Sequence, residues 1–209
     1  KGKNDYAIKA YKRGAKLLNG DYPFAFELAK VYEETGNLTA VSKSLIGIIE
    51  FGDSYLESIK AALSSYFYDD SNGKKRSVFK DILLDQVQKK SSKDGYTELL
   101  IWFFLQENKF SSALTHAIAL DKRNRENGNR IIKIADIFIQ NKSYNNALKA
   151  YKYLLGKKDE SYFYRIARTK TVEILNNIFK INVWTLEDSK KMILFSAASF
   201  FDKDIWRYL

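Results

Sequence analysis

Four residues, Gln140-Asn141-Lys142-Ser143, separate two stretches that each read as an amphipathic helix, and this spacing constrains the fold more than any other feature of the chain. Upstream, Ile131, Ile134, Ala135 and Phe138 share one helical face; downstream, Tyr144, Ala147, Leu148, Tyr151 and Leu154 do the same. Two helices joined so closely must turn back on each other, with Ala135 and Ala147 as the small residues where the backbones approach. A single hairpin over residues 128–155 cannot bury both of its apolar faces. Copies of it are therefore expected alongside.

The copies are in register. Ala113, in KFSSALTHAIAL, holds the place of Ala147 at a distance of 34 residues, and Val41 and Ala7 hold it in two further segments that are again 34 apart. From Val41 to Ala113 is 72 residues, room for two units, and Val78 is the expected anchor between them.

Particular residues give the repeat a family likeness. Ala29 and Tyr32, then Gly36 in the turn and Leu38, form a small, aromatic, glycine and large-apolar pattern, and Ala135, Phe138, Tyr144, Ala147 and Tyr151 match it in the last clear unit. In these residues and in its period the chain resembles the tetratricopeptide repeat (TPR) family over residues 1–158. It departs from that family at Ile101, where a small residue is usual, in the degenerate third unit around 63–84, and in lacking the proline that closes each repeat. The resemblance implies an all-α fold, a right-handed α-solenoid of about five antiparallel hairpins with the first incomplete. Residues 159–209 would add C-terminal helices, as a further repeat or a cap. The stretches ELLIWFFLQENKF and ALDKRNRENGNR also resemble poorly characterised TPR proteins of bacterial cell envelopes, which implies an envelope location.

Local signals place helices at 4–18, at 23–35 with Pro23 in the first turn, at 38–50, at 54–67, and after the YDDSNG loop up to Lys90. Further helices follow at 96–107, 110–121 and 161–179, with a last one from Thr185, paired with Asp188 as a cap, to Phe201. The first helix has no partner before it, so the chain is expected to be a piece of a longer protein, with further repeats among its partners. The longest apolar cluster, Leu99–Leu105, is too short to span a membrane.

The composition narrows the chemistry. With no cysteine there is no disulfide, thiolate nucleophile or cysteine-bound zinc, and with one histidine, His116, there is no histidine metal cluster. Ser71 and Lys74 have a catalytic spacing but sit in a loop, and Glu33-Glu34 and Asp69-Asp70 are adjacent pairs whose carboxylates diverge or are solvated. No catalytic residue, metal or cofactor is expected.

The TPR likeness assigns the concave surface to the first helix of each hairpin. Its inward positions would be Phe26 and Lys30, Leu63 and Phe67, Glu98 and Trp102, Ile132 and Asp136, and Ile166 and Lys170. That line is mainly apolar and lacks the Lys, Asn and Arg set with which some TPR modules hold a terminal carboxylate. It suits an apolar peptide or an amphipathic helix, and so a non-catalytic protein-interaction scaffold. A shift of one residue would instead turn Phe67 or Trp102 into the hairpin interior. The 14 Tyr and 14 Phe are more than a minimal helical core needs, so some rings should serve binding. The alternative is RNA or other nucleic acid, drawn by a net charge of +10 and by Lys74-Lys75-Arg76, by Lys122-Arg123 with Arg125 and Arg130, and by Lys157-Lys158 with Arg165 and Arg168. Asp121, Glu126, Asp159 and Glu160 stand beside those clusters, as they would on a solvated surface.

Overall fold

Every described stretch with an apolar face at helical spacing forms a helix, and among the described residues there is no strand. A computed structural model of the chain describes residues 2–18, 22–90, 92–157 and 162–182, with side chains through residue 175 in the last segment. The helices are α1 (Gly2–Leu17), α2 (Ala25–Glu34), α3 (Leu38–Gly47), α4 (Leu56–Tyr66), α5 (Lys74–Lys89), α6 (Asp94–Gln106), α7 (Phe110–Asn124), α8 (Asn129–Gln140), α9 (Tyr144–Leu155) and α10 (Tyr162–Asn182). Short 3-10 turns at Ile48–Phe51 and Asp53–Tyr55 link α3 to α4. The chain forms two compact units, residues 1–116 and 117–209, with the boundary inside α7.

In the first unit α2 packs on both α1 and α3, α3 on α5, α5 on α6, and α4 on α6. α3 thus meets α5 and also α4, and α4 meets α6. The centre of this unit is a group of rings. Phe67 and Phe103 each lie 5.4 Å from Phe79, Phe67 and Phe103 are 6.0 Å apart, and Phe104 continues the group to His116, whose ring stacks on it at 5.6 Å. Burial lowers the pKa of His116, so its ring is neutral and serves as a packing group at ordinary pH.

In the second unit α8 packs on α9, and α10 packs on both. Ile131, Ala135, Phe138, Ala147 and Tyr151 are completely buried, and Ile134, Leu148 and Leu154 nearly so. Both alanines lie in the buried core of the α8 and α9 pair. Tyr144, placed on the same face by the sequence, is only half-buried, and Ala150 joins the core instead.

The short turns repeat in atomic detail. At the end of α2 the Asn37 N–H donates to the Tyr32 carbonyl and the Gly36 N–H to that of Glu33; at the end of α6 Lys109 and Asn108 do the same to Phe104 and Leu105, and at the end of α8 Ser143 and Lys142 to Phe138 and Ile139. Each is a Schellman closure whose central residue must be left-handed: Gly36 at φ 71°, Asn108 at 53° and Lys142 at 56°. Positions 36, 108 and 142 are separated by 72 and 34 residues, the same intervals that relate Val41, Ala113 and Ala147.

Three expectations need correction. The helix after Pro23 starts at Ala25, because Phe24 takes a left-handed conformation (φ 49°) that lays its ring against Tyr11 at 5.6 Å and Tyr22 at 4.8 Å. Val78 is not the anchor of α5. It is half-buried, whereas Phe79 and Leu83 are completely buried, the Phe67–Gly73 connection being longer than the short turns and so resetting the register by one. Ala7, the proposed first anchor, is half-buried, and α1 buries no residue completely. The expected helix from Thr185 to Phe201 lies outside the described residues.

Candidate functional site

The local chemistry of α6 sets what it can offer a ligand. From Gly95 to Phe104 its side chains are buried except at Glu98 and Trp102, one helical turn apart and hence on one face. Both are half-buried, with Leu105 continuing the same strip. Along this apolar helix Glu98, Trp102 and Leu105 are thus the strip that is not fully buried. Glu98 is itself engaged by the fold.

The other expected inward positions divide. In the first unit Phe26 is half-buried and Lys30 exposed on α2, but Leu63 is completely buried and Phe67 is 5 % exposed inside the ring group, so these two pack the core. In the second unit Ile132 is half-buried and Asp136 exposed on one face of α8, and Ile166 and Lys170 of α10 are half-buried. Of the two readings held open for Phe67 and Trp102, the interior describes Phe67. Trp102 is half-buried on α6.

Three members of the basic clusters, Lys75, Arg76 and Arg130, are tied into the fold. Lys75 contacts Glu33 at 3.1 Å and Asp69 at 2.5 Å, donates to the Tyr66 carbonyl and sits 4.5 Å from the Tyr66 ring centre. Arg76 lies over the Phe67 ring and pairs with Asp70 and Glu107. Asp70 in turn caps α5 by accepting the Lys75 and Arg76 N–H groups. Its burial raises the carboxyl pKa, but those amides and the guanidinium outweigh the burial and hold it below the usual range. In the second unit Arg130 pairs with Glu126 at 2.9 Å.

Asp121 is the buried hub of that unit. Completely enclosed at the end of α7, it accepts the Tyr153 hydroxyl at 2.5 Å, the Lys157 ammonium at 2.5 Å and the Gly128 N–H at 3.1 Å. Gly128 is left-handed (φ 94°), and a Cβ there would come within 2.3 Å of Leu154, so only glycine fits where α8 begins. Lys157 also donates to the Glu126 carbonyl. Burial, then the Asp121 bond, pushes the Tyr153 hydroxyl pKa up, so it remains a donor.

A further cluster gives a pH test. Glu50, at the end of the 3-10 turn, accepts from Lys90, Lys93 and the Tyr96 hydroxyl. The Lys90 bond first, then those of Lys93 and Tyr96, lowers its carboxyl pKa from 4.5 to about 2. A depressed carboxylate stabilises the fold above its unfolded pKa and loses that contribution as pH falls through the folded value. Glu50→Gln is therefore expected to lower the urea midpoint at neutral pH, with the gap from wild type closing as the pH drops from 4.5 towards 2. A gap independent of pH would show that the charge is not what Glu50 contributes.

Among the described residues, no helix is long and apolar enough to cross a membrane. Comparison with protein-family models, with curated proteins and with solved structures found no match for this chain.

Proposed function

We propose that this chain is a TPR-like α-solenoid segment and acts as a non-catalytic scaffold, receiving an apolar peptide or protein segment on the partly exposed strip of its first helices. The observation that carries the reading is Trp102: a large amphipathic ring held half-open beside Glu98 on a helix whose remaining middle positions are buried. Tryptophan in such a setting supplies contact area at small conformational cost and is among the residues that dominate binding energy. The repeat reading is supported by the Schellman turns at positions 36, 108 and 142. Packing of α3 on α5 and of α4 on α6 within the first unit supports it too.

The nucleic-acid alternative draws on the net charge of +10. Against it, Lys75, Arg76 and Arg130 hold carboxylates of the same fold, which leaves them less charge to offer phosphates.

The two readings respond oppositely to salt. In a pull-down from the source cell, wild type should retain a discrete protein from low through moderate salt, and Trp102→Ala should lose it at both. Recovery of nucleic acid that washes off as salt rises and is indifferent to Trp102→Ala would overturn the scaffold reading.

A further inference from the structure

Helix α1 divides into a covered side and an open one. Asn4, Ala7, Ile8, Tyr11, Gly14 and Ala15 are half-buried and share the first. There Tyr11 meets the Phe24 ring at 5.6 Å, and a Cβ on Gly14 would come within 3.0 Å of the same ring. On the open side Tyr6 is 75 % and Leu17 73 % exposed. At about 100° per residue these two fall on one line with Ala10 and Arg13, and the line runs about 16 Å along the helix. Lys3 flanks it on one edge and Lys9 and Lys16 on the other, with Lys12 and Asp5 further round.

Lys3, Lys9, Lys12, Arg13 and Lys16 are all exposed, and none forms an ion pair among the described residues. Asp5 is the one acid on the helix, so its five cations exceed its acids by four. The neighbouring helix does not offset that surplus. On α2, Glu27 accepts the Tyr22 hydroxyl and Glu33 pairs with Lys75, which leaves one acid, Glu34, and one base, Lys30. Asp21 lies outside the described residues.

Arg13, in the middle of the line, decides between occupants. A helix packed there would enclose the guanidinium, which is costly. Nucleic acid would answer the cations but leave Tyr6 and Leu17 in water. The surface of an anionic bilayer satisfies both kinds of residue. Leu17 and the Tyr6 ring enter the boundary between headgroups and acyl chains, and the tyrosine hydroxyl stays among the headgroups. Arg13 and the flanking lysines reach lipid phosphates along their apolar stems. With 16 residues and this charge, α1 would lie in the plane of the interface rather than cross it.

We propose that α1 docks this chain on an anionic phospholipid surface, with Tyr6 and Leu17 as shallow anchors and Lys3, Lys9, Arg13 and Lys16 as headgroup contacts. The surface shares no residue with the Trp102 strip. The test is sedimentation of the full chain with vesicles of phosphatidylcholine alone and of phosphatidylcholine mixed equally with phosphatidylglycerol. Lys9→Gln/Arg13→Gln/Lys16→Gln removes charge, and Tyr6→Gln/Leu17→Gln removes the anchors. All five positions are exposed and glutamine keeps the helix propensity, so both variants should melt with wild type. Because the chain has no cysteine, Leu17→Cys gives a single attachment point for the environment-sensitive fluorophore NBD.

Binding to the anionic vesicles and not to phosphatidylcholine alone is expected, weakened at least about tenfold by the charge variant and at least about threefold by the anchor variant. Trp102→Ala should bind as wild type does, and NBD emission at position 17 should shift to the blue on the anionic vesicles. No binding to those vesicles, equal binding to neutral ones, full binding by either variant, or unshifted NBD emission would overturn the proposal. So would tighter binding per phosphate to a single-stranded oligonucleotide than to the anionic vesicles, unaltered in the anchor variant, which is the behaviour of a polyanion surface. A dimer in solution that the anchor variant renders monomeric would give the line to a second copy of the chain instead.

Discussion

Asp121→Ala is expected to lower the free energy of unfolding by about 3 kcal/mol, seen as a reduced urea midpoint with an unchanged slope. The carboxylate is completely buried and answers three donors from two later segments, the Gly128 N–H, the Tyr153 hydroxyl and the Lys157 ammonium. Removing it leaves a cation and a buried amide without their acceptor, a loss of about 3 to 5 kcal/mol where both charges are enclosed. The lower end applies because the Lys157 side chain is 25 % exposed and regains some hydration. The double variant Asp121→Ala/Lys157→Met should recover part of the loss, since the stranded charge goes with it. If the double variant is as unstable as the sum of the two singles, the ion pair is not what Asp121 supplies.

Phe103→Ala should cost about 3 to 5 kcal/mol, enough to unfold a large fraction of a marginally stable unit. Its ring is 2 % exposed and lies within 6.1 Å, centre to centre, of Phe67, Phe79 and Phe104. The cavity would open among rings from three helices or their ends, which cannot all collapse inward together. The neighbouring residue supplies the control. Trp102→Ala removes a larger ring from the half-open strip and should cost less than about 1.5 kcal/mol. Hydrogen exchange of the α5 and α6 amides would read both variants. Equal loss of protection in the two would mean that Trp102 belongs to the core and that the strip is not a surface.

What could be read from residues alone was whatever depended on period. Ala135, Phe138, Ala147 and Tyr151 recur at helical spacing on either side of a four-residue turn, and their complete burial follows from the hairpin that this spacing demands. Glu98 and Trp102 were legible for the same reason, because i and i+4 share a face whatever that face covers. Phe67 was not. Its placement depends on where α4 ends, and the long Phe67–Gly73 connection gives no periodic signal for that end. The same connection moved the α5 anchor from Val78 to Phe79.

The Asp121 network was hidden for a different reason. In DKRNRENGNR an aspartate beside three basic residues has the look of a solvated charge run, and its true partners, Tyr153 and Lys157, lie more than 30 residues further on. The signal available was Gly128 directly before a helix, which marks a left-handed position that needs an acceptor for its N–H. The turns at Asn108 and Lys142 were likewise silent, since left-handed backbone there carries no glycine to announce it.

The most direct test of the scaffold reading places a photo-crosslinking amino acid, p-benzoylphenylalanine, at position 102 of the full chain and, separately, at position 68. Tyr68 is 93 % exposed in the connection between α4 and α5 and is outside the strip. On irradiation in the source cell, position 102 should yield a discrete protein adduct that persists at raised salt, and position 68 should not. The same adducts from both positions, none from position 102, or adducts to nucleic acid would contradict the assignment of the Trp102 strip as a protein-binding surface.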